Sequence, residues 1–385
     1  MSDPLLFVAH TGERSGAEKV MLMLVDVALA QGRRVVVACP DGPLAEALPA
    51  GCVRVRLPRL GMWGQRGVGR IAGLAGLPVR WLVGARRLRR VLSAERPRVV
   101  CNSLFALPSL RLAVLGTSHR ERAGWLVHDT LSSRKQRIVA RMGRGAVGGA
   151  VAVSRASAVP VRECGYPVVV APHGVPIPPV SSRSTSPDAS TPDASTPDAS
   201  TPDASTVRVG ILASVTEWKG HRVLLEAVAE VPGIRLDVAG EPFPGDEAFL
   251  DELRRRAHAP DLRGRVSFLG RVDPAEVFAV WDVMVSASTS PEAGPLVALE
   301  AMAHGVPVVG TDHGGTAEHL ADGAGLLVPP GDAKALAEAL RRLMSDPDLR
   351  NDLAVTAHRR VEERHDIEVT LPAMVNALWA TGVTS

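Results

Sequence analysis

Residues 282–311 read DVMVSASTSPEAGPLVALEAMAHGVPVVGT. The apolar, valine-rich runs at 282–288 and 306–311 are typical of buried strands, and the segment between them has the composition of a helix. Pro295 suits the first turn of that helix, and Gly305 suits its C-terminal cap. The stretch therefore predicts a strand, a helix and a parallel strand, which is the repeating unit of a doubly wound α/β sheet.

The same alternation extends outward from this unit in both directions. On the far side of residue 207, further strands are predicted at 207–213, 234–240 and 265–270, with surface helices at 332–344 and 346–364. In the first half, a helix at 17–31 lies between strands at 5–9 and 34–39, and four more strands follow at 99–101, 124–127, 150–153 and 168–171. We expect an α/β protein of two Rossmann-like domains, residues 1–180 and 207–366, whose parallel sheets face a central cleft. A last helix within 367–385 is expected to pack back on the first domain.

The segment at 181–206 separates the two domains and contains the unit PDAST four times, at 187–206. It lacks large apolar residues, so it is interpreted as a flexible linker without chemistry of its own. Charge also divides the chain at this point. Residues 1–180 carry 26 Lys+Arg and 10 Asp+Glu, or +16, whereas residues 181–385 carry 18 and 31, or −13. This asymmetry favours two domains that meet different ligands and attract each other across a cleft.

Several classes of protein are excluded by composition. The four cysteines are far apart and form neither a CxxC motif nor a Cys/His cluster, which argues against a disulfide framework and against a zinc site. The first residues, MSDPLLFVAH, lack a secretion signal, and no apolar run approaches the ~18 residues of a spanning helix. A cytoplasmic protein is therefore expected, with any membrane contact peripheral.

Backbone and carboxylate groups suited to a phosphorylated sugar meet at the predicted helix of the opening stretch. The N–H groups of Gly294, Leu296 and Val297 and the helix dipole are available to an anion. Glu292 precedes this helix end and Glu300 lies about one and a half turns inside it. Their carboxylates can accept hydrogen bonds from sugar hydroxyls on either side of a bound diphosphate.

Glu292, Glu300 and the following EAMAHGVPVVGTDHGGTAEHL closely resemble the E-x7-E signature of retaining GT-B glycosyltransferases of group 1, family four. The resemblance extends to VRVGILASVTEWKGHRVLLEAV at 207–228, HTGERSGAEKVMLMLVDVALAQG at 10–32, VHD at 127–129 and APHGV at 171–175. It covers most of the chain outside the linker and residues 55–95. Each motif alone is weak, but their combination in this order is specific.

The resemblance implies a role for each matching residue. Glu292 would contact donor-sugar hydroxyls, Glu300 would contact the nucleotide ribose, and Lys219 would neutralise the diphosphate as the sugar–phosphate bond breaks. No metal cofactor is expected in this family, because positive charge of the protein stabilises the leaving group.

Further roles follow from the other motifs. Gly16 would let the backbone approach the donor phosphate or the acceptor, and His128 would lie near the transferred sugar. The backbone around Gly270 and Arg271 would contact the base. Gly314 and Gly315, which follow a strand end facing the cleft, are further candidates for the lining of the donor site.

The chain departs from the family pattern at two positions. Ala213-Ser214 replaces the usual Gly-Arg ahead of the lysine, which removes a charge-assisted contact worth ~1.5–3 kcal/mol. Arg271, Arg222 or a basic residue of the first domain is a candidate substitute. Pro295 replaces a commoner glycine and removes one N–H donor.

Residues 61–92 are basic and contain Trp63, Trp81 and seven arginines, with no acidic residue. Such a segment is suited to an anionic membrane surface, and a solvated basic helix on its own sheet is an equal alternative. Nucleic-acid binding is not indicated, since no corresponding motif accompanies the charge.

The resemblance implies a transferase that moves a hexose-type sugar from a UDP- or GDP-sugar to an acceptor in polysaccharide, glycolipid or natural-product assembly. A non-catalytic nucleotide-sugar-binding protein, or one that supports a partner transferase, remains the alternative because of Ser214. A GT-B-like epimerase or phosphorylase is disfavoured, because the carboxylates or the cofactor lysine that each requires are not found.

Overall fold

The computed structural model describes residues 3–61, 75–178 and 206–380. Residues 181–205 of the linker lie outside this part of the chain, as do Trp63, Arg66 and Arg70 of the basic segment. Two parallel sheets form the described structure, and three large hydrophobic clusters pack against their faces.

The first sheet has seven parallel strands in the order β3-β2-β1-β4-β5-β6-β7. Their bounds are β1 Leu5–Val8, β2 Val35–Cys39, β3 Val53–Arg56, β4 Arg98–Cys101, β5 Ala123–Val127, β6 Gly149–Ala152 and β7 Val168–Val170. The helices that cover it are α1 Gly16–Ala30, α2 Pro43–Glu46, α3 Leu77–Glu95, α4 Leu107–Val114, α5 Arg134–Met142 and α6 Arg155–Glu163. Strands β1 and β5 are fully buried, as expected where helices cover both faces of a parallel sheet.

The second sheet has six parallel strands in the order β10-β9-β8-β11-β12-β13. Their bounds are β8 Val207–Leu212, β9 Ile234–Ala239, β10 Val266–Gly270, β11 Val283–Ser286, β12 Val308–Thr311 and β13 Leu326–Val328. The accompanying helices are α7 His221–Ala229, α8 Glu247–Ala257, α9 Pro274–Phe278, α10 Leu296–Ala303, α11 Gly314–Leu320, α12 Ala333–Ser345 and α13 Pro347–Arg364.

The last helix, α14 (Ile367–Ala380), returns to the first domain and lies against β5 and β6. The chain reaches it through a parallel bridge between Val175 and Asp366, and the Arg98 guanidinium donates to the carbonyl of Trp379. The two sheets and their helices confirm the predicted fold class. Strands β3 and β13 were not predicted from the sequence.

Strand order reverses once in each sheet, between β1 and β4 in the first and between β8 and β11 in the second. Crevices open at such reversals, beyond the carboxyl ends of the strands, and they are where doubly wound sheets bind ligands. The loops that leave β1, β8 and β11 lead to Gly16, Lys219 and Glu292 respectively. The fold therefore places these three predicted residues at the switch points.

Candidate functional site

Helix α10 presents its N-terminus at the switch point of the second sheet. Pro295 is its N-cap, in extended conformation (φ −68°, ψ 110°), so the helix begins at Leu296. The expectation that Pro295 occupies the first helical turn was therefore wrong by one position. Six of the eight residues of α10 are buried, which holds its first N–H groups in place. At the other end Gly305 (φ +67°) follows the C-cap, as predicted.

Lys219 and Glu292 meet at this helix end from two different strands. The Lys219 ammonium lies 2.6 Å from Glu292 Oε2, and the two side chains are only 15% and 11% exposed. The Ser288 hydroxyl donates to the other carboxylate oxygen of Glu292. The Glu292 carbonyl accepts a hydrogen bond from the Gly315 N–H at 2.7 Å. Glu292 is thus fixed through both its side chain and its backbone.

Glycine at position 220 sets the position of Lys219. Lys219 ends a 3₁₀ turn, Glu217–Lys219, and Gly220 follows in left-handed conformation (φ +77°) as the N-cap of α7. A Cβ at position 220 would overlap the carbonyl oxygen of Ala287, close to the end of β11. Only glycine permits this approach, which brings the loops after β8 and β11 together. The Lys219 ammonium also lies 4.3 Å from the centre of the Trp218 ring.

Gly314 and Gly315 pack beneath the same loop. A Cβ at either position would overlap backbone atoms, the Glu292 carbonyl oxygen for Gly314 and the Ala293 carbonyl oxygen for Gly315. Their position is therefore under the Glu292 loop, which they support from the end of β12.

Glu300 is paired with a residue of the other domain that sequence reasoning missed. Its carboxylate accepts a hydrogen bond from the Lys19 ammonium, and the two side chains are 14% and 51% exposed. Lys19 lies in the first turn of α1. This helix begins at Gly16, whereas the sequence predicted that it begins at residue 17. A Cβ at Gly16 would lie 3.6 Å from Leu296 Cδ1. The first turns of α1 and α10 therefore face each other across the cleft.

His128 follows β5 and is held in one orientation by its neighbours. Its Nε2 lies 3.1 Å from Asn102 Oδ1, and the Asn102 amide nitrogen donates to the carbonyl of Ala17. The ring stacks on His173, with centroids 5.6 Å apart. Burial lowers the pKa of His128 to about 3. The imidazole is consequently neutral near pH 7, and the Asn102 contact assigns its proton to Nε2.

Asp129 follows His128 in the chain and is an acidic residue that sequence reasoning did not single out. Burial raises its pKa to about 6, and the nearby Glu18 carboxylate adds to the shift. Burial also raises the pKa of Glu18, which is buried in the first turn of α1 and completes a capping box with Ser15. Asp129 is the last residue of the VHD motif at 127–129, so that motif could have pointed to it.

The remaining predicted donor-site residues lie at the ends of β8 and β10. Ser214 is partly buried after β8. Gly270 has φ +65°, and its carbonyl accepts from the Gly240 N–H at 2.7 Å. Arg271 is 79% exposed and paired with Glu241 at 2.8 Å.

Neither arginine suggested as a substitute at Ser214 is free for that role in this arrangement. Arg271 is held by Glu241, and Arg222 forms a two-point contact with Glu252 at 2.5 and 2.7 Å. Both pairs involve exposed side chains. Of the candidates named from the sequence, the remaining one is a basic residue of the first domain.

Two further contacts join the domains beside the site. The Thr130 hydroxyl donates to the Pro291 carbonyl at 3.0 Å, next to Glu292. The Glu318 carboxylate accepts the backbone N–H groups of Arg155 and Ala156 at 3.0 and 2.6 Å, and so caps α6 of the first domain from α11 of the second.

Within 3–61, 75–178 and 206–380, no group of three or more His, Cys, Asp or Glu side chains is arranged to hold a metal ion. In the same ranges, no helix combines the length and apolar character that crossing a bilayer requires. Helix α3, the described part of the basic segment, exposes Val79 and Leu82 beside its arginines.

Comparison with protein families gives two matches. The family described as "Glycosyl transferases group 1" matches residues 198–360, and "Glycosyltransferase Family 4" matches residues 14–177. These ranges include 163 and 164 residues respectively, or 327 of the 385 together.

Curated relatives match over shorter stretches. The chain is 35% identical over 169 residues to the lipopolysaccharide core biosynthesis glycosyltransferase LpsE of Rhizobium meliloti, covering 43% of this chain and 48% of that protein. It is 39% identical over 159 residues to a phosphatidyl-myo-inositol mannosyltransferase of Mycolicibacterium smegmatis, covering 39% of each. The chain thus spans less than half the length of these relatives.

Solved structures match over nearly the whole length. HepE of Anabaena, solved in complex with UDP and glucose, superposes with a TM-score of 0.77 at 22% identity, covering 98% of this chain and 99% of that one. Sucrose-phosphate synthase of Thermosynechococcus elongatus gives 0.79 at 19% identity, covering 98% of each chain. At these identities the likeness establishes the shared fold.

Proposed function

Because this chain belongs to the group 1 glycosyltransferases of GT-B fold, we propose that it transfers a hexose-type sugar from a UDP- or GDP-sugar to an acceptor hydroxyl with retention of anomeric configuration. The second domain binds the donor and the first binds the acceptor. The observation that carries the proposal is the meeting of Lys219 and Glu292 at the N-terminus of α10.

The donor diphosphate lies at that helix end in this proposal. The N–H groups of Leu296 and Val297 bind phosphate oxygens, Gly294 leaves room for them, and the Lys219 ammonium neutralises their charge. Glu292 exchanges its lysine contact for hydroxyls of the donor sugar. Glu300 accepts hydrogen bonds from the ribose, and the backbone at Gly270 and Arg271 contacts the base.

The reaction breaks the bond between the anomeric carbon and the phosphate oxygen, and the bonding electrons leave with the diphosphate. The acceptor oxygen forms its new bond on the same face of the sugar, and its proton passes to the departing phosphate oxygen. Lys219 stabilises the charge that develops on this oxygen, which is where electrostatic catalysis acts most strongly. Lys219 and the helix end supply positive charge there, and we propose that no metal cofactor is needed.

His128 contributes as a neutral hydrogen-bonding group at the transferred sugar. With Nε2–H held by Asn102, Nδ1 is left to accept from a sugar hydroxyl. Gly16 brings the first turn of α1 close to Leu296, at the start of α10. Closure of the domains excludes water from the reacting atoms.

The acceptor is proposed to belong to polysaccharide, glycolipid or natural-product assembly at the cytoplasmic face of a membrane. Support comes from the lipopolysaccharide core and phosphatidyl-inositol relatives, and from α3, where Val79 and Leu82 are 61% and 49% exposed. Each arginine near an anionic lipid surface adds ~1 kcal/mol to peripheral binding.

The experiment begins with a thermal-shift screen of UDP- and GDP-sugars, since a ligand at a hundred times its Kd stabilises a protein by about 2.7 kcal/mol. The stabilising donor is then assayed for transfer and for hydrolysis. Glu292→Ala and Lys219→Ala should nearly abolish both, while each variant stays folded and keeps the circular dichroism spectrum of the parent. Parental rates in both variants would refute the proposal.

A non-catalytic nucleotide-sugar-binding protein is the second candidate, and Ser214 at the usual arginine position favours it. Donor binding with neither transfer nor hydrolysis would support this candidate over the first.

A further inference from the structure

The two glutamates that flank the N-terminal turns of α10 are each paired with a lysine. Glu292 pairs with Lys219 of its own domain, and Glu300 pairs with Lys19 of the other domain. The chain has four lysines among its 44 basic residues, at 19, 135, 219 and 334, so half of them lie at this site. Lysine carries a compact charge on a flexible stem and binds phosphate as a point charge.

Lys19 differs from Lys219 in how it is held. Its side chain is 51% exposed, whereas that of Lys219 is 15% exposed. Glu300, its partner, is 14% exposed and lies on a buried helix. The flexible member of the pair is therefore the lysine, which can leave while the carboxylate stays.

A nucleotide sugar changes the balance of this pair. Ribose hydroxyls, which the proposed function assigns to Glu300, take up the carboxylate oxygens that Lys19 contacts. A diphosphate at the first turn of α10 then offers Lys19 a stronger negative charge within the same cleft. The approach of Gly16 to Leu296 keeps the first turn of α1 beside that helix end.

Resting on the proposed function, we propose that Lys19 supplies the second positive charge for the donor diphosphate, in place of the arginine that Ser214 replaces. In the ligand-free protein it is held by Glu300. On donor binding it moves to the phosphate oxygens, so that the two domains are then joined at this point through the donor. Arg222 and Arg271 do not fill the role because the proposed function assigns no part of the donor to their partners, Glu252 and Glu241, so donor binding does not release them as it releases Lys19 from Glu300.

An ion pair that only holds the two domains together would explain the Lys19–Glu300 contact equally well without a donor. It predicts the opposite effect of removing Lys19 on nucleotide affinity. Such an ion pair occupies Glu300 and competes with the ribose, so removal of Lys19 leaves nucleotide affinity unchanged or raises it. If Lys19 instead binds the phosphate, its removal weakens the protein's binding of phosphorylated ligands and of no others.

The experiment is calorimetric titration of UDP, GDP and the corresponding nucleosides into the parent protein, Lys19→Ala and the exposed-lysine control Lys135→Ala. We expect Lys19→Ala to bind the preferred diphosphate at least tenfold more weakly, with nucleoside binding unchanged or tighter and Lys135→Ala equal to the parent. Equal or tighter diphosphate binding by Lys19→Ala would overturn the inference. Failure of the parent to bind either diphosphate would instead count against the proposed function.

A second variant tests whether the two positions share one role. Introducing the arginine, as Ser214→Arg in the Lys19→Ala background, should recover most of the lost affinity, to within about threefold of the parent. A double variant that has the parental unfolding midpoint and keeps the full loss would overturn the assignment of Lys19 to the arginine's place.

Discussion

The Lys219 ammonium lies 2.6 Å from the Glu292 carboxylate, although 73 positions separate the two residues in the chain. Strands β8 and β11 are neighbours at the switch point of the second sheet, so their loops converge there. The Ser288 hydroxyl holds the other side of the carboxylate. The pair is thus built by the sheet topology, and it fixes charge at the end of a helix before any ligand arrives.

Breaking this pair from either side should destabilise the protein. Lys219→Met or Glu292→Gln leaves the partner's charge unpaired in a largely buried position, which costs about 1–3 kcal/mol of unfolding free energy. The double variant should lose less than the sum of the two, with a coupling of at least ~1 kcal/mol in urea unfolding. Lys334→Met, at an exposed position, serves as the control. Strictly additive losses would contradict the pairing.

Gly220 and Gly331 form a matched test of the close approach between loops. Both have positive φ (+77° and +76°), but a Cβ at 331 meets open space, whereas one at 220 overlaps the Ala287 carbonyl. Gly331→Ala should cost only the conformational penalty of about 1–2 kcal/mol. Gly220→Ala should cost clearly more and should also lose donor binding, because Lys219 is displaced. Equal unfolding free energies in the two variants would show that the approach is unimportant.

Glu318 caps α6 from the opposite domain, so its removal should loosen the domain pair. Glu318→Ala leaves two backbone N–H groups without this acceptor and should lower the unfolding free energy by about 1 kcal/mol. Small-angle X-ray scattering should also show a larger radius of gyration than in the control Glu363→Ala, whose side chain lies on the exposed face of α13. If the two variants are indistinguishable by both methods, the contact does not hold the domains.

His128 and Asp129 should give opposite pH dependences of stability. The pKa of His128 is lowered to about 3 by burial, so its contribution is present above the unfolded pKa near 6.5 and is lost as pH falls toward 3. The pKa of Asp129 is raised to about 6, chiefly by burial, so its contribution is present below about 3.8 and is lost as pH rises through 6.

Urea unfolding between pH 4 and 7 measures both effects. Relative to the parent, His128→Gln should become more stable as pH falls below 6.5, and Asp129→Asn should become more stable as pH rises toward 6. Parallel stability curves for the parent and both variants would contradict the assigned shifts.

Most of the fold could be predicted from the sequence because buried parallel strands are short, continuous apolar runs. The exceptions show the limit of that signal. Strand β3 reads VRVR and lies at the sheet edge with mostly exposed residues, and β13 is only three residues long at the opposite edge of the second sheet. Edge strands bury less apolar surface, so composition marks them poorly.

The site could be predicted only in part. Glu292, Lys219 and Glu300 were predicted as site residues because they fall on recognisable motifs. Lys19 was missed, since its partner lies 281 positions away and only the packing of one domain on the other brings them together. The same holds for Glu318, whose capping role depends on the neighbouring domain.

The proposed function requires that the N-terminus of α10 and Lys219 hold the diphosphate of a nucleotide sugar. Its most direct test is calorimetric titration of UDP and GDP into the parent protein, Lys219→Ala and Lys334→Ala. We expect one-to-one binding of at least one nucleotide by the parent and by Lys334→Ala, and at least tenfold weaker binding by Lys219→Ala. Absence of binding by the parent, or parental affinity in Lys219→Ala, would contradict it.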